Sequence, residues 1–199
     1  MRLGLMGGTF DPIHCGHLAA AEEVRNCFML DRMIFIPSAR PPHKTGKVIT
    51  DHEHRYTMAV LATVSNPYFD VSRIEIDRPG PSYTVDTLRH FRQVDTSAEL
   101  FFITGADAIL EILGWREPRD LLRLCRFVAV SRPGYDLDDI SCLEAELGAE
   151  LVSNIEILPV TPFDISSSDI RQRVAEGRSI RYLVPEEVRR YIYRNGLYR

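Results

Sequence analysis

Apolar residues recur along the chain in short continuous runs that are separated by helical patterns. Five runs have the length of a strand, and within them apolar residues follow one another instead of alternating with polar ones. Such runs are typical of parallel strands that are covered on both faces. The five runs are Leu3–Met6, Met33–Pro37, Leu100–Thr104, Phe127–Val130 and Ile155–Val160. We therefore expect a parallel sheet built from these five strands.

Helical spacing of apolar residues characterises the segments between these runs. Residues 17–30 and 53–65 place apolar side chains three and four positions apart, which is the repeat of one helix face. Pro185 and Gly196 stand where a last helix would begin and end. The acidic stretch within 136–150 is expected to form a solvated helix. This alternation indicates an α/β fold with a Rossmann-like, doubly wound parallel sheet, as a three-layer α/β/α sandwich.

Composition limits the class of protein without changing this fold. The chain has 199 residues, of which 45% are hydrophobic and 26% charged, so we expect one globular domain over 1–199. The net charge of -4 argues against nucleic acid as a partner. No apolar stretch suits a signal peptide or a membrane span, so no membrane partner is expected. The four cysteines lack CxxC spacing, which favours free thiols and a cytoplasmic location.

The segments of unusual composition each follow directly after a predicted strand. In open parallel sheets the strands end at a common edge, and ligands bind beyond that edge. The five segments are 7–17, 38–44, 105–108, 131–133 and 161–171. We expect all five to meet there and to form the functional site.

The first of these segments, GGTFDPIHCGH, has the features of a phosphate-binding turn. Gly7 and Gly8 permit the close approach of a ligand and a positive φ. A helix is expected to begin at the end of the segment, with its free N–H groups beside the loop. His14 and His17, three positions apart, would project to one side and could donate to a phosphate. Three interpretations compete: a plain strand–helix turn, a metal site that includes Cys15, and a dinucleotide-binding turn, for which GxGxxG is missing.

ISSSDIR, within the last of these segments, resembles a second helix start. Ser166 and Asp169 have the spacing of a capping box, and capping alone would explain the motif. Three consecutive serines, however, offer more hydroxyl groups than a cap requires, and Arg171 in the first turn could fork onto phosphate oxygens. Two helix starts of this composition suit a polyphosphate better than a single phosphate.

The other segments each allow two interpretations. Asp107 in GADA either accepts hydrogen bonds from ribose hydroxyls or caps a helix. Thr84 in SYTVD either caps a helix or binds a ligand. Trp115, the only tryptophan, either packs in the core or stacks on a ligand ring. PPHK is a stiff loop that ends in the cation Lys44.

Two of these motifs resemble the signatures of a known superfamily. GGTFDPIHCGH is similar to the (H/T)xGH signature of the nucleotidyltransferases, and ISSSDIR is similar to their ISS(T/S)xxR signature. Together with PPHK, SYTVDTL, GADA, GWREP and YLVPEEVRRYIYRNGLY, they make the chain resemble bacterial nicotinate-nucleotide adenylyltransferases along nearly its whole length. Ser168 stands where threonine is commoner, and Cys15 occupies the variable position of the first signature. The implied fold is the nucleotidylyl transferase form of the adenine nucleotide alpha hydrolase-like architecture.

The resemblance implies transfer of AMP from ATP to nicotinate mononucleotide, which gives deamido-NAD and pyrophosphate in NAD biosynthesis. The substrate phosphate would be the nucleophile, because a phosphate monoester with a second pKa of about 6 is largely dianionic at neutral pH. No general base is then needed, and catalysis consists of alignment and charge neutralisation. Mg²⁺ is expected to arrive with ATP, since no carboxylate cluster indicates a dedicated protein cage. ATP and nicotinate mononucleotide are the expected partners, and a homo-oligomer is compatible with the sequence.

The resemblance also implies roles for individual residues. The expected catalytic residues are His14, His17, Lys44 and Arg171. The expected ATP contacts are Gly7, Gly8, Thr9, Phe10, Gly105, Asp107, Ile165, Ser166, Ser167 and Ser168. The expected contacts of nicotinate mononucleotide are Thr84, Trp115 and Arg132, and no metal ligand is expected.

Other functions compete with this one. Pantetheine-phosphate adenylyltransferases resemble the chain as well, but they are typically shorter and carry threonine at the position of His14. SYTVDTL and Trp115 also favour a pyridine nucleotide. A catalytically silent ATP-binding regulatory module would use the same pocket for binding alone. A dehydrogenase is disfavoured because GxGxxG is missing.

Overall fold

A parallel sheet forms the centre of the molecule. The computed structural model describes residues 1–42, 48–131, 141–161 and 163–199, with side chains left out at 141 and 142. The strands within these ranges are β1 Arg2–Gly8, β2 Arg32–Pro37, β3 Phe69–Val71, β4 Glu99–Gly105, β5 Arg126–Ser131 and β6 Ile155–Pro159. All neighbouring strands are parallel, and their order across the sheet is β3-β2-β1-β4-β5-β6. From β1 the chain adds strands on one side as far as β3, and then crosses to add β4, β5 and β6 on the other side of β1. This is the doubly wound arrangement, so the predicted fold is confirmed.

One strand was not predicted from the apolar pattern. β3 has three residues, pairs only with β2 among the described strands, and carries Asp70 at its centre. A strand this short at the edge of a sheet exposes one side and leaves no continuous apolar run in the sequence. The five predicted strands are all present.

Helices cover both faces of the sheet. Those within the described ranges are α1 Cys15–Cys27, α2 His52–Thr63, α3 Ile74–Asp77, α4 Thr84–Val94, α5 Ala106–Leu110, α6 Pro118–Leu124, α7 Ser141–Leu147, α8 Ala149–Val152, α9 Ser167–Ala175 and α10 Glu186–Arg194. A 3₁₀ turn spans Ile112–Gly114. None of these helices is long and apolar enough to cross a membrane.

The predicted helices at 17–30 and 53–65 are present as α1 Cys15–Cys27 and α2 His52–Thr63, with ends that differ from the prediction by one to three residues. Pro185 is the N-cap of α10, and Gly196 follows that helix with a φ of 61°. Within 136–150 the prediction of a solvated helix is wrong in one respect, because Leu143 and Leu147 of α7 are buried in the core. One face of that helix therefore packs against the protein.

The core lies in two layers, one on each face of the sheet. In β4, Phe101 and Ile103 belong to the layer beneath α1, α2, α9 and α10, whereas Leu100 and Phe102 belong to the layer beneath α4, α6 and α7. Successive residues of a strand point to opposite faces, and both faces are buried here. The apolar runs are continuous for this reason.

The register of the sheet brings the carboxyl ends of the strands to one edge. Gly8 pairs with Pro37, Gly105 with Val130, and Ser131 with Pro159. The segments that follow these strands therefore begin side by side.

Candidate active site

Among the described residues, two cavities lie at the carboxyl edge of the sheet, and a third lies at the start of α4. The central cavity, of about 410 Å³, lies beyond β1, β4 and β5 and is lined by residues that include Gly8, His14, His17, Gly105, Asp107, Ile165, Ser166 and Ser167. The arginine cavity, of about 250 Å³, is lined by Thr9, Phe10, Asp11, His17, Val48, Ile49, Ser167, Ser168 and Arg171. The aromatic cavity, of about 360 Å³, is lined by Pro42, Ser82, Tyr83, Thr84, Gly114, Trp115, Arg116 and Leu121. The central and arginine cavities share Phe10, His17 and Ser167 in their linings, so they adjoin each other.

The two histidines are held together at the start of α1. His14 is the N-cap residue, and its backbone N–H donates to Nδ1 of His17 over 3.2 Å. The imidazole rings stack with centroids 3.6 Å apart and an interplanar angle of 25°. The separation of three positions is that of a capping box, in which the third helical residue reaches back to the cap. Because Nδ1 of His17 accepts a hydrogen bond, the neutral ring carries its proton on Nε2.

His17 also packs on an aromatic side chain. The Phe10 ring meets His17 edge to face, with centroids 5.1 Å apart, and Phe10 itself is buried. Burial, and to a smaller extent the neighbouring His14, hold the pKa of His17 well below its ordinary value of 6.5. At neutral pH the His17 ring is therefore uncharged and offers an Nε2–H donor.

The glycines of the first motif are required by close packing rather than by a positive φ. Gly7 and Gly8 lie within β1 and do not use the positive φ that glycine permits, because the positive φ of this loop, 48°, falls on Phe10 instead. A Cβ on Gly8 would lie 2.9 Å from the Phe10 ring. A Cβ on Gly16 would lie 3.1 Å from Nδ1 of His14. Sequence analysis did not assign Gly16 to the site, although its place between the two histidines was a usable signal.

Cys15, between the histidines, has a structural rather than a chemical position. It is a free thiol, and its backbone N–H donates to the carbonyl of Leu183 over 2.9 Å. Burial raises the pKa of the thiol, so it stays protonated at neutral pH. Among the described residues, no three His, Cys, Asp or Glu side chains are placed to hold a metal ion. His14, Cys15 and His17 therefore do not form the metal site that was one interpretation of this motif.

The serine motif at the start of α9 is joined to the first loop. Oγ of Ser166 accepts a hydrogen bond from the backbone N–H of Asp169 over 3.1 Å, as a cap should. The Asp169 carboxylate pairs with Arg173 over 2.7 Å instead of reaching back, so only half of the expected capping box forms. Oγ of Ser167 donates to the carbonyl of Pro12 over 2.9 Å. The motif therefore caps its own helix and also contacts the loop of residues 9–14 that joins β1 to α1, which we call the histidine loop.

Arg171 makes the second connection between the two motifs. Its Nη1 donates to the carbonyl of Asp11 over 2.7 Å, and its Nη2 donates to Oγ of Ser168 over 3.2 Å. Arg171 and Asp11 are 160 positions apart in the chain. His17, Ser168 and Arg171 consequently line one cavity, as the sequence analysis required.

A buried arginine that sequence analysis missed supports the first loop from α2. Arg55 is 1% exposed and donates to the carbonyls of Thr9 over 2.6 Å, Thr50 over 2.7 Å and Ala39 over 3.4 Å. Burial lowers its pKa, but an arginine remains charged at any working pH. The signal was its place on the apolar face of the predicted helix, three positions before Met58.

The aromatic cavity combines a helix start with an aromatic cluster. Thr84 is the first residue of α4, and the N-cap is Tyr83, so Thr84 does not cap the helix. Trp115 packs edge to face against Phe102 and Phe127, with centroids 6.3 and 6.4 Å apart. It also lines the cavity, so the core interpretation is confirmed and stacking on a ligand ring stays a prediction.

The wall of the aromatic cavity is tied to neighbouring segments. The backbone N–H of Ser82 donates to the carbonyl of Arg40 over 3.0 Å, and the N–H of Arg40 donates back to Oγ of Ser82 over 3.1 Å. Oε1 of the buried Glu75 accepts a hydrogen bond from Oγ1 of Thr87 over 2.7 Å, and burial raises the pKa of that carboxyl. Arg116, which sequence analysis missed, lies over the Tyr83 ring at 4.7 Å.

The remaining predicted site residues divide into two groups. Gly105, at the end of β4, the exposed Asp107 in α5, and Ile165 line the central cavity. Apart from Gly105 itself and its two chain neighbours, no atom of the described residues lies within 4 Å of a Cβ built on Gly105, so they leave that space open. Lys44 and Arg132 lie outside the described residues.

Comparison with known proteins assigns the chain to a family. A family model described as cytidylyltransferase-like matches residues 5–173. A nicotinate-nucleotide adenylyltransferase of Thermoanaerobacter sp. (strain X514) is 51% identical over 100% of this chain and 95% of its own length. The corresponding protein of Moorella thermoacetica is 53% identical over 100% of this chain and 92% of its own length. The chain belongs to the nicotinate-nucleotide adenylyltransferase family.

Two solved structures share the fold of this chain. Plasmodium falciparum nicotinic acid mononucleotide adenylyltransferase complexed with NaAD matches with a TM-score of 0.78 at 18% identity, over 99% of this chain and 97% of that one. The same Plasmodium protein complexed with APC matches with a TM-score of 0.76 at 17% identity, over 99% and 96%. The predicted family, the transferase class and the place in NAD biosynthesis are confirmed.

Proposed function

We propose that this adenylyltransferase joins ATP and nicotinate mononucleotide across the three cavities and releases deamido-NAD and pyrophosphate. A phosphate oxygen of the mononucleotide attacks the α-phosphorus of ATP, and the bond from that phosphorus to the pyrophosphate oxygen breaks. The observation that carries the proposal is that His17, Ser168 and Arg171, from two distant motifs, line one cavity. That arrangement suits a polyphosphate held between two helix starts.

ATP occupies the central and arginine cavities in this proposal. The central cavity has a volume within the range of roughly 300–1,000 Å³ that small-molecule sites occupy. Gly105 and Asp107 contact the ribose, while Ile165 and Ser166 contact the adenine side. The phosphates follow the loop of Gly7 to Phe10 toward Ser167 and Ser168.

Catalysis rests on alignment and on the neutralisation of charge. Arg171 supplies a fixed positive charge beside the departing pyrophosphate, and His14 and His17 face the transferred phosphate. The neutral His17 ring donates from Nε2, and this hydrogen bond strengthens as negative charge develops on the phosphate oxygens. The resemblance to the family implies that Lys44 provides a second positive charge. No side chain has to remove a proton, because the attacking phosphate is already ionised.

The proposal leaves Mg²⁺ to be carried by ATP. When bound, the ion would supply charge neutralisation to the phosphates. The donor set of the arginine cavity fits this arrangement, because it offers hydroxyls, a histidine and an arginine rather than a group of carboxylates. The Asp11 carboxylate in that cavity already accepts hydrogen bonds from Tyr198 and from the backbone of Thr50.

Nicotinate mononucleotide places its ring in the aromatic cavity. Trp115 stacks on the pyridine ring, and Thr84 at the start of α4 meets the nicotinate carboxylate. Negative charge is favoured beside a helix N-terminus, which supports nicotinate over the neutral nicotinamide. Arg132 is a further contact by resemblance to the family.

We also propose the setting in which the enzyme works. The chain acts as one domain over 1–199 in the cytoplasm, without nucleic acid or membrane partners. Its net charge of -4 and the lack of a membrane-spanning helix in the described ranges support this setting. A homo-oligomer would be compatible with it.

Pyrophosphate release tests the proposal. The enzyme is incubated with ATP and Mg²⁺ and with nicotinate mononucleotide, nicotinamide mononucleotide or phosphopantetheine in turn. We expect release with nicotinate mononucleotide to exceed the other two. Faster turnover of phosphopantetheine would identify a pantetheine-phosphate adenylyltransferase, and ATP binding without release would identify a silent regulatory module.

A further inference from the structure

The segment that follows α10 returns to the histidine loop. Tyr198 packs against the core layer beneath α1, and its hydroxyl donates to Oδ1 of Asp11 over 2.8 Å. The two residues are 187 positions apart. Asp11 is 5% exposed, so its carboxylate depends on protein groups for hydrogen bonds. Burial and the Asp11 charge raise the pKa of Tyr198 far above its ordinary range, so the phenol stays a donor at any working pH.

Asp11 connects this tyrosine to the arginine of the other motif. Its Oδ2 accepts a hydrogen bond from the backbone N–H of Thr50 over 3.3 Å. Its main-chain carbonyl accepts from Nη1 of Arg171 over 2.7 Å. One residue therefore contacts Tyr198 through its side chain and Arg171 through its backbone.

The backbone conformation supports a position that is fixed from several sides. Phe10, directly before Asp11, has a φ of 48°, and Tyr198 has a φ of 64°. Residues other than glycine rarely adopt this left-handed region, and they keep it only where the surrounding contacts impose it. Both ends of the Tyr198–Asp11 hydrogen bond therefore lie in segments whose conformation depends on tertiary contacts.

We propose that Tyr198 is a positioning residue for adenylyl transfer: it holds the Asp11 carboxylate and thereby fixes the carbonyl that orients Arg171 toward the phosphates. The inference rests on the proposed function and extends it to a residue outside both signature motifs. Without the phenol hydroxyl, the buried Oδ1 of Asp11 loses its partner, and the turn of Asp11 rearranges to satisfy it. The guanidinium then moves with the carbonyl, away from the line of the phosphates.

The chain offers a matched control for this test. The Tyr191 hydroxyl lies 2.8 Å from Nδ1 of His54, in a contact between α10 and α2 that does not involve the histidine loop. Tyr198→Phe and Tyr191→Phe each remove one phenol hydroxyl and one hydrogen bond of equal length. We expect Tyr198→Phe to lower kcat about tenfold, since a misplaced catalytic group is costly, with the KM of the mononucleotide nearly unchanged. Tyr191→Phe should keep the parental kcat.

A double-mutant cycle separates positioning from a general loss of stability. Arg171→Lys removes the planar fork that contacts both Asp11 and Ser168, and it should lower kcat in the parental background. If Tyr198 acts through Arg171, the loss caused by Arg171→Lys is much smaller in the Tyr198→Phe background, because coupled sites are not additive. In the Tyr191→Phe background the loss should be the parental one.

All variants are assayed below the lowest melting temperature of the series, so that folded enzyme is compared throughout. A parental kcat in Tyr198→Phe, or losses that multiply in full, would overturn the role of Tyr198. Pyrophosphate release by the unaltered enzyme is measured first. If that enzyme does not turn over, the proposed function fails, whereas turnover with an unaffected Tyr198→Phe variant rejects the positioning role alone.

Discussion

The arginine cavity and the aromatic cavity are built by different means. Around the arginine cavity, charged and hydroxyl side chains donate to main-chain carbonyls, as Arg55 does to Thr9, Arg171 to Asp11 and Ser167 to Pro12. Around the aromatic cavity, rings pack edge to face and the start of α4 forms part of the lining. Phosphoryl transfer requires donors that are fixed before the reaction, whereas a ring requires mainly a surface of matching shape.

This difference has a kinetic consequence. A change at the arginine cavity should act on the alignment of the reacting groups and appear in kcat. A change at the aromatic cavity should act on the affinity for one substrate and appear in its KM. Three predictions test whether the two regions separate in this way, and a fourth tests the burial of His17.

The largest effect is expected at His17. We expect His17→Ala to lower kcat by about 10²-fold or more, since it removes a donor aimed at the transferred charge. The KM of nicotinate mononucleotide should change little. Steady-state pyrophosphate release measures both, and His90→Ala, at an exposed position of α4, serves as the control. Near-parental turnover of His17→Ala would remove this histidine from the mechanism.

A smaller effect, and one on affinity, is expected at Trp115. Trp115→Ala should raise the KM of the mononucleotide about tenfold, because it removes one stacking contact. The KM of ATP should stay nearly unchanged. Because Trp115 also contacts Phe102 and Phe127, the melting temperature should fall as well. Trp115→Phe should restore part of the affinity. Equal increases in both KM values would return Trp115 to a role in the core alone.

The same substitution at two glycines compares the two cavities directly. In Gly16→Ala the new Cβ lies 3.1 Å from Nδ1 of His14, so the ring must shift by a few tenths of an ångström. We expect kcat to fall about fivefold, because small displacements at a reacting centre are costly. At Gly114, which lines the aromatic cavity, a new Cβ would have no described atom within 4 Å apart from those of Gly114 and its chain neighbours, so Gly114→Ala should leave kcat unchanged. Equal kcat values for the two variants would contradict the comparison.

The smallest effect is expected in the pH dependence of stability. The pKa of His17 is depressed in the folded state and about 6.5 in the unfolded chain, so below pH 6.5 the unfolded state binds a proton that the folded state does not. The free energy of unfolding should therefore decrease as the pH is lowered below 6.5, by at most about 1.4 kcal/mol per pH unit from this group. His17→Asn should remove that contribution, and denaturant unfolding between pH 7 and 5 compares the two proteins. Parallel curves would show that His17 is not held neutral by burial.

Much of the fold could be predicted from local pattern. Continuous apolar runs such as Phe127–Val130 reveal parallel strands because both faces of the sheet are covered. β3 was not predicted, because a three-residue edge strand has too few buried positions to form an apolar run in the sequence. α7 was predicted to be fully solvated because acidic residues dominate its sequence, although its apolar face packs on the core.

The chemistry of the site was likewise predicted from short motifs. Helix starts, glycines, histidines and serines near one another in sequence predict a phosphate site, because capping and helix dipoles act within a few residues. That is why the two motifs could be assigned before their distance in space was known. Their meeting followed from the parallel sheet alone.

The sequence by itself therefore determined the parallel α/β fold, and it predicted the edge at which the two motifs meet and their polyphosphate chemistry. The tertiary structure decided how those motifs are held: Arg55 beneath Thr9, Tyr198 on Asp11, and Arg116 over Tyr83. These contacts join residues far apart in the chain, and nothing in their immediate neighbours specifies the partner. Local propensity acts over a few residues, whereas the satisfaction of a buried polar group depends on whichever segment folds against it.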